Sequence, residues 1–158
     1  MKKKVIFVLL LALAVFTQLI LGEWIQIRGI RPDFLLILLI FWTWNEGWKE
    51  GLIVGFIIGI LKDILFSPLL GLNAFALLLS GFLVGEVRDK IYGENVFLFL
   101  IIVGLVSILN EVIISSWLSI FHISSFLKGF PVFLIFISLY NCFISFFVFL
   151  ILSKIKQK

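Results

Sequence analysis

Cysteine, histidine and charge are all scarce in this chain of 158 residues. The single cysteine, Cys142, lies inside an apolar run, which excludes an intrachain disulfide and a cysteine metal cluster. His122 is the only histidine, so zinc triads and most acid–base dyads cannot be built. Charged residues make up only 14% of the chain, whereas a soluble domain carries about a quarter. There is no G-x-x-x-x-G-K-S/T loop, no H-E-x-x-H and no G-x-S-x-G. No polar connection is long enough to set a carboxylate pair in a cleft, so neither an enzyme nor a bound cofactor or metal is expected. Linkers, repeats and low-complexity tracts are also missing, which leaves one domain, 1–158.

What fills the chain is apolar: 63% by composition, with a mean hydropathy of +1.26. That predicts an all-α integral membrane protein, a compact bundle of about six transmembrane helices. Each span needs roughly 20 residues to cross about 30 Å of hydrocarbon. Breaks at charges, Pro and Gly place the spans near 5–21, 30–44, 51–66, 68–85, 96–121 and 130–152. The second and third are short, compatible with local thinning, snorkelled ends or a re-entrant pair, and hence with four or five crossings. Lys2 to Lys4 before an apolar run resemble a signal peptide, but the hydrophobicity continues to Leu21, which favours a retained anchor. With six spans and the N-terminus inside, nine Lys/Arg fall on inner segments and four (Arg28, Arg31, Lys62, Lys128) on outer ones. That bias predicts cytoplasmic termini. The net charge of +4 then serves orientation and not nucleic-acid binding. The segment Glu23 to Arg31 mixes apolar and polar residues and is expected at the outer interface. Trp24, Trp42, Trp44, Trp48 and Trp117 fall near predicted span ends, as interfacial anchors do.

Gly47, Gly51, Gly55 and Gly59 recur every four residues, and Gly81 and Gly85 repeat the spacing. Such rows let helix backbones approach closely, either within this chain or against a partner's helix. Asp63 continues the first row and should face protein, since an ionised group at membrane depth costs roughly 2.5 to 3.5 kcal/mol. Lys62 beside it points elsewhere and can snorkel outward. Ser67-Pro68 reads as the N-cap and first residue of the fourth helix. Asn73, placed one and a half turns in, could reach back to Asp63 as a polar clamp. Glu111, next to Asn110, is the most deeply placed charge. It could bond Ser107, Ser115 or Asn141, or instead bind a proton, an ion or an amine. His122 and Lys128 suggest nothing specific. Two readings survive: a membrane scaffold binding other helices through its glycine faces, and a small-molecule-binding transporter subunit using Glu111 and Asn141.

Several segments, taken in order, carry a resemblance. They are Arg31-Pro32-Asp33-Phe34-Leu35-Leu36, Gly55 to Gly59 with Asp63, Pro68-Leu69-Leu70-Gly71-Leu72-Asn73-Ala74, and Gly81 to Gly85. Together they resemble the rod shape-determining protein MreD family over roughly residues 31 to 90. Pro32, Asp33, Gly71 and Asn73 are the motif positions. The loop Glu86 to Glu94 departs from the family pattern in being mixed in charge instead of strongly basic. The resemblance implies a non-enzymatic member of the bacterial cell-elongation machinery in the cytoplasmic membrane. It implies MreC as direct partner, and MreB, RodA and a class B penicillin-binding protein in the same complex. It also implies a fold like the six-helix substrate-binding subunits of energy-coupling-factor transporters. A transporter subunit should gather polar groups from several helices around a cavity. The polar residues here are few and scattered along the chain, which favours the scaffold.

Overall fold

The computed structural model describes residues 2–26, 30–90, 95–120 and 130–156. Arg28, His122, Lys128 and the end of the 86–94 loop lie outside them. Six helices follow one another among the described residues: α1 (Lys2–Trp24), α2 (Phe34–Glu46), α3 (Trp48–Phe66), α4 (Leu72–Lys90), α5 (Val96–Ile120) and α6 (Phe130–Lys156). The predicted order holds; half of the twelve ends run two to five residues further, while α2 and α4 each start four residues later than the apolar runs suggested. A helix end is set by where the last carbonyls find partners, not by where hydrophobicity stops. α5 and the Pro131–Leu150 part of α6 are long and apolar enough to cross a bilayer. α1 and α2 carry shorter apolar stretches, Val5–Ile20 and Phe34–Glu46.

α2 is the axis of the bundle and packs against each of the other five helices. Its residues Leu35 to Ile40 are buried without a break, the pattern of a helix enclosed on all sides. Thirteen residues make it only about 20 Å long, against about 38 Å for the 25 residues of α5. At one end α2 is level with the start of α5. Gly47 alone turns α2 into α3 at φ +94, a backbone conformation that favours glycine. Arg88 at the end of α4 donates from Nε to Trp44 O (3.0 Å) and from Nη2 to Asn45 O (3.4 Å), closing the last turn of α2. Trp44 meets Phe99 of α5 edge-on at 5.8 Å, and Phe99 meets Phe149 of α6 at 5.2 Å. At the opposite end α2 stops short while α5 and α6 continue.

The tightest pair is α3 with α4. A Cβ on Gly51 would lie 2.7 Å from Gly81 O, and one on Gly59 would lie 2.6 Å from Asn73 O. Gly55 meets the Leu77 carbonyl as closely, and Gly85 meets the backbone of Trp48. The glycine rows on the two helices thus interlock inside this chain, and these faces are not free for a partner. Gly47 does not belong to the row: it is the turn between α2 and α3. The tryptophans divide as well. Trp44 is buried and Trp42 stacks on Phe7 of α1 at 4.4 Å, so these two serve the interior, while Trp24 is 86% exposed.

Candidate functional site

Asp63 sits one turn before the end of α3 and is buried, yet no cation meets it among the described residues. Its carboxylate is held by donors from the start of α4. Oδ1 accepts from the backbone N–H of Asn73 (2.8 Å) and from Asn73 Nδ2 (2.9 Å). Oδ2 accepts from the N–H groups of Gly71 (2.9 Å) and Ala74 (3.0 Å). Those are the orphan donors of a helix N-terminus, where the peptide dipoles also favour an anion. Asp63 therefore caps α4 from a different helix. Asn73 does reach it, but from the first turn. Ser67 is not the cap of α4. It ends α3, and its hydroxyl donates to Leu69 O while accepting from Leu69 N–H. Residues Pro68 to Gly71 form a turn, with Gly71 at φ +95, so α4 starts four residues later than the Ser-Pro signature suggested. The turn exists to bring three N–H groups onto one carboxylate, and a local N-cap is then superfluous.

A second buried carboxylate holds the short end of α2. Asp33 Oδ1 accepts from Leu36 N–H at 3.1 Å as a conventional N-cap, and Oδ2 pairs with Lys62 Nζ. The Lys62 side chain is 12% exposed, so it turns into the bundle and does not snorkel away. An unpaired Asp33 carboxylate in this dry position would cost more than ordering the lysine stem. The backbone N–H of Asp33 donates to Asn141 Oδ1 at 2.9 Å, and Asn141 Nδ2 donates to Ser107 Oγ at 3.0 Å. Gln18 of α1 accepts the Phe34 N–H at 3.0 Å. Five helices thus meet at the beginning of α2. The Pro32-Asp33 and Gly71-x-Asn73 motif positions resolve into one physical device used twice, a carboxylate on a helix N-terminus. Pro32 is buried beside the first of these.

The scatter of polar residues in sequence is therefore not a scatter in space. Glu111 makes none of the expected bonds to Ser107, Ser115 or Asn141; Ser107 Oγ instead accepts from Asn141 Nδ2. Its carboxylate lies within electrostatic reach of Lys62 and Asp33 instead. Asn110, fully buried, leaves both Oδ1 and Nδ2 without a hydrogen-bond partner, and Asn73 Oδ1 is likewise unpartnered. Pattern reasoning missed Gln18 and sent Lys62 outward. No local signal shows what lies opposite a polar residue in an apolar run. Two cavities lined by described residues are apolar. One of about 330 Å³ lies among Leu69, Leu72, Phe75 and Trp117, and one of about 180 Å³ lies between Leu13, Phe34, Leu38 and Val148. No set of three metal-ligating side chains assembles among the described residues.

The exterior is paved with large apolar side chains on α1, α3, α5 and α6, such as Leu9, Phe16, Ile57, Ile64, Leu105 and Phe143. An apolar outside around buried, capped carboxylates and interlocked glycines defines a helical membrane protein. The family described as rod shape-determining protein MreD matches residues 1–157, and the chain belongs to that family. No curated protein and no solved structure matches the chain significantly.

Proposed function

We propose that this protein is a non-enzymatic, six-span scaffold of the bacterial cell-elongation machinery that binds MreC and so regulates peptidoglycan synthesis and rod shape. Membership of a shape-determining family over the whole chain carries the reading. The interlocked α3–α4 hairpin and the doubly capped α2 support it as a rigid platform. The protein lies in the cytoplasmic membrane among its lipids, with the level end that holds Gly47 and Arg88 and both termini on the cytoplasmic side, as the nine-to-four Lys/Arg bias favours. It holds the transmembrane helix and adjacent periplasmic segment of MreC and biases MreC between conformations. MreB, RodA and a class B penicillin-binding protein work in the same complex. A tenfold effect on MreC needs a difference of only about 1.4 kcal/mol in affinity for its two states.

The test is co-purification from detergent with MreC, together with reporter fusions at both termini. MreC is expected to be retained and both reporters to report cytoplasm. Loss of MreC from a well-folded protein removes the scaffold role. A periplasmic C-terminus removes the six-span arrangement.

A further inference from the structure

α1 and α6 flank α2 with a cleft between them. Phe7 of α1 meets Trp42 and Gln18 accepts the Phe34 N–H, so α1 runs antiparallel to α2. Asn141 meets Asp33, and Phe149 meets Phe99, the neighbour of Trp44, so α6 runs parallel to α2. The first turn of α1 and the last turn of α6 therefore lie at the same end of the bundle. Among the described residues the backbone of α1 approaches α2 and no other helix. At the far end Tyr140 Oη of α6 donates to Ile25 O, just past α1, at 2.6 Å. Between that tie and the near end lies the cavity of about 180 Å³, with Leu10, Ala14 and Thr17 on one wall, Phe34 and Phe41 on the floor and Val148 on the other wall. Its hydroxyl is already spent, since Thr17 Oγ1 donates to Leu13 O at 2.7 Å.

Size and charge decide what can lie there. Leu10 to Thr17 spans about 10 Å of helix. A volume of about 180 Å³ over that length admits one extended hydrocarbon chain and not a helix about 10 Å across. Toward the near end the rim is basic. Leu10, Ala14 and Thr17 share one face of α1, and Lys3, seven positions before Leu10, continues that face. Lys154 and Lys156 follow Val148 by six and eight positions. Both sets lie about 9 to 12 Å along their helices from the cavity, and neither α1 before Glu23 nor α6 carries an acid to offset them. A chain starting at that rim meets Leu10 after about 10 Å, within the roughly 15 Å of hydrocarbon in one leaflet. We propose that the cleft between α1 and α6 is a binding site for an anionic phospholipid. One acyl chain lies along Leu10, Ala14, Thr17 and Val148, and the phosphate-bearing headgroup sits at the lysines of both helix ends. Basic residues beside a membrane attract anionic lipid in general, and a fitted cleft turns that attraction into residence of one molecule. The site requires only that the chain lie in a membrane, and it stands whichever side the termini face and whether or not MreC binds.

The experiment uses the full-length protein in mild detergent, offered equal amounts of phosphatidylglycerol and phosphatidylcholine with identical acyl chains, and counts retained lipid by native mass spectrometry. One phosphatidylglycerol per protein should be retained, about tenfold over phosphatidylcholine. Ala14→Phe, which fills the cleft, should remove the retained lipid. Thr17→Leu narrows the cleft from its far end and loses only a hydroxyl bonded within its own helix, so it should weaken retention severalfold even if Ala14→Phe does not fold. Lys3→Gln, Lys154→Gln and Lys156→Gln together should bring the ratio of the two lipids near one. Full phosphatidylglycerol preference in the cleft variants means that the lysines alone collect the lipid, and it overturns the site. No retained lipid, or equal retention of the two lipids by the unaltered protein, also overturns it. Loss of MreC but not of lipid from Ala14→Phe makes the cleft the seat of a helix and overturns the lipid site as well.

Discussion

Asp63→Ala would strip four donors of their acceptor in one step: the N–H groups of Gly71, Asn73 and Ala74, and Asn73 Nδ2. Membrane hydrogen bonds measured pairwise average about 0.6 kcal/mol, which sets a floor near 2.4 kcal/mol for four. A bond to a charged acceptor is worth about 1.5 to 3 kcal/mol in soluble proteins, so the simple sum would exceed 6 kcal/mol. That sum overstates the case, since the first turn of α4 can fray and pick up water once the carboxylate is gone. A loss of about 3 kcal/mol is the expected outcome, read by reversible unfolding in mixed detergent. Asp63→Asn should recover part of it, because the amide oxygen still serves one pair of donors while its NH2 opposes the other. Ser67→Ala, which touches only the turn, should cost under about 0.5 kcal/mol, as surface changes do. A double-mutant cycle of Asp63→Ala with Asn73→Ala should show coupling of about 0.6 kcal/mol from the side-chain bond alone. If Asp63→Ala costs under about 1 kcal/mol, the carboxylate does not hold the start of α4 and the cross-helix cap is the wrong account.

Gly55→Leu or Gly59→Leu should abolish the folded hairpin, because the first added carbon already meets backbone atoms of α4. Gly71→Ala, with open space around it but φ +95, should cost only about 1 to 2 kcal/mol of backbone strain, so protein yield in the membrane separates the two classes. Lys62→Met alone leaves the buried Asp33 charge unpaired and should cost about 3 to 5 kcal/mol, whereas Lys62→Met with Asp33→Asn removes the charge and keeps an N-cap, recovering most of it. Equal instability of the single and double variants in detergent unfolding would show that an unpaired Asp33 charge is not what destabilises the single one.

Helix number and order were legible because runs of apolar residues between charges and turns are a strong signal. Asp63 was also legible: a carboxylate in phase with a glycine row has to face protein. The inner partners were not. In a soluble helix the amphipathic phase tells which face is inside, but here both the lipid face and the core are apolar. Trp44 therefore looked like an interface anchor when it is core, and Trp42, partly buried, packs against that core. Glu111 looked bonded along its own helix, whereas Ser107 accepts from Asn141 across to α6 and makes no bond to Glu111. The bond from Asp33 to Asn141 spans 108 positions, and no periodicity links two residues that distant. The start of α4 failed for a different reason. Ser-Pro is a sound N-cap signature, yet a carboxylate arriving from another helix outcompeted it.

The two carboxylate caps divide the bundle into parts of unequal strength. α2, α3 and α4 are tied by the Gly47 turn, Lys62 to Asp33, Arg88 to the end of α2, and Asp63 to the start of α4. α5 and α6 hold each other through Ser138 donating to Gly104 O at 3.2 Å and Cys142 Sγ donating to Leu100 O at 3.3 Å. Among the described residues the buried polar tie between the two groups is Asn141, which accepts from Asp33 N–H while donating to Ser107 within its own group. Asn141→Leu keeps the number and branching of the side-chain heavy atoms while removing both bonds, with methyl groups bulkier than the amide they replace. It should leave the α3–α4 amides as protected from hydrogen exchange as before. Protection at Asp33 and in the middle of α5 and α6 should fall by about tenfold, the equivalent of roughly 1.4 kcal/mol of local opening. Uniform loss of protection through all six helices would mean the bundle opens as one unit and that Asn141 is no joint. No change at Asp33 would mean its N–H is satisfied without the amide, and the connection between the two groups would have to be sought in apolar packing alone.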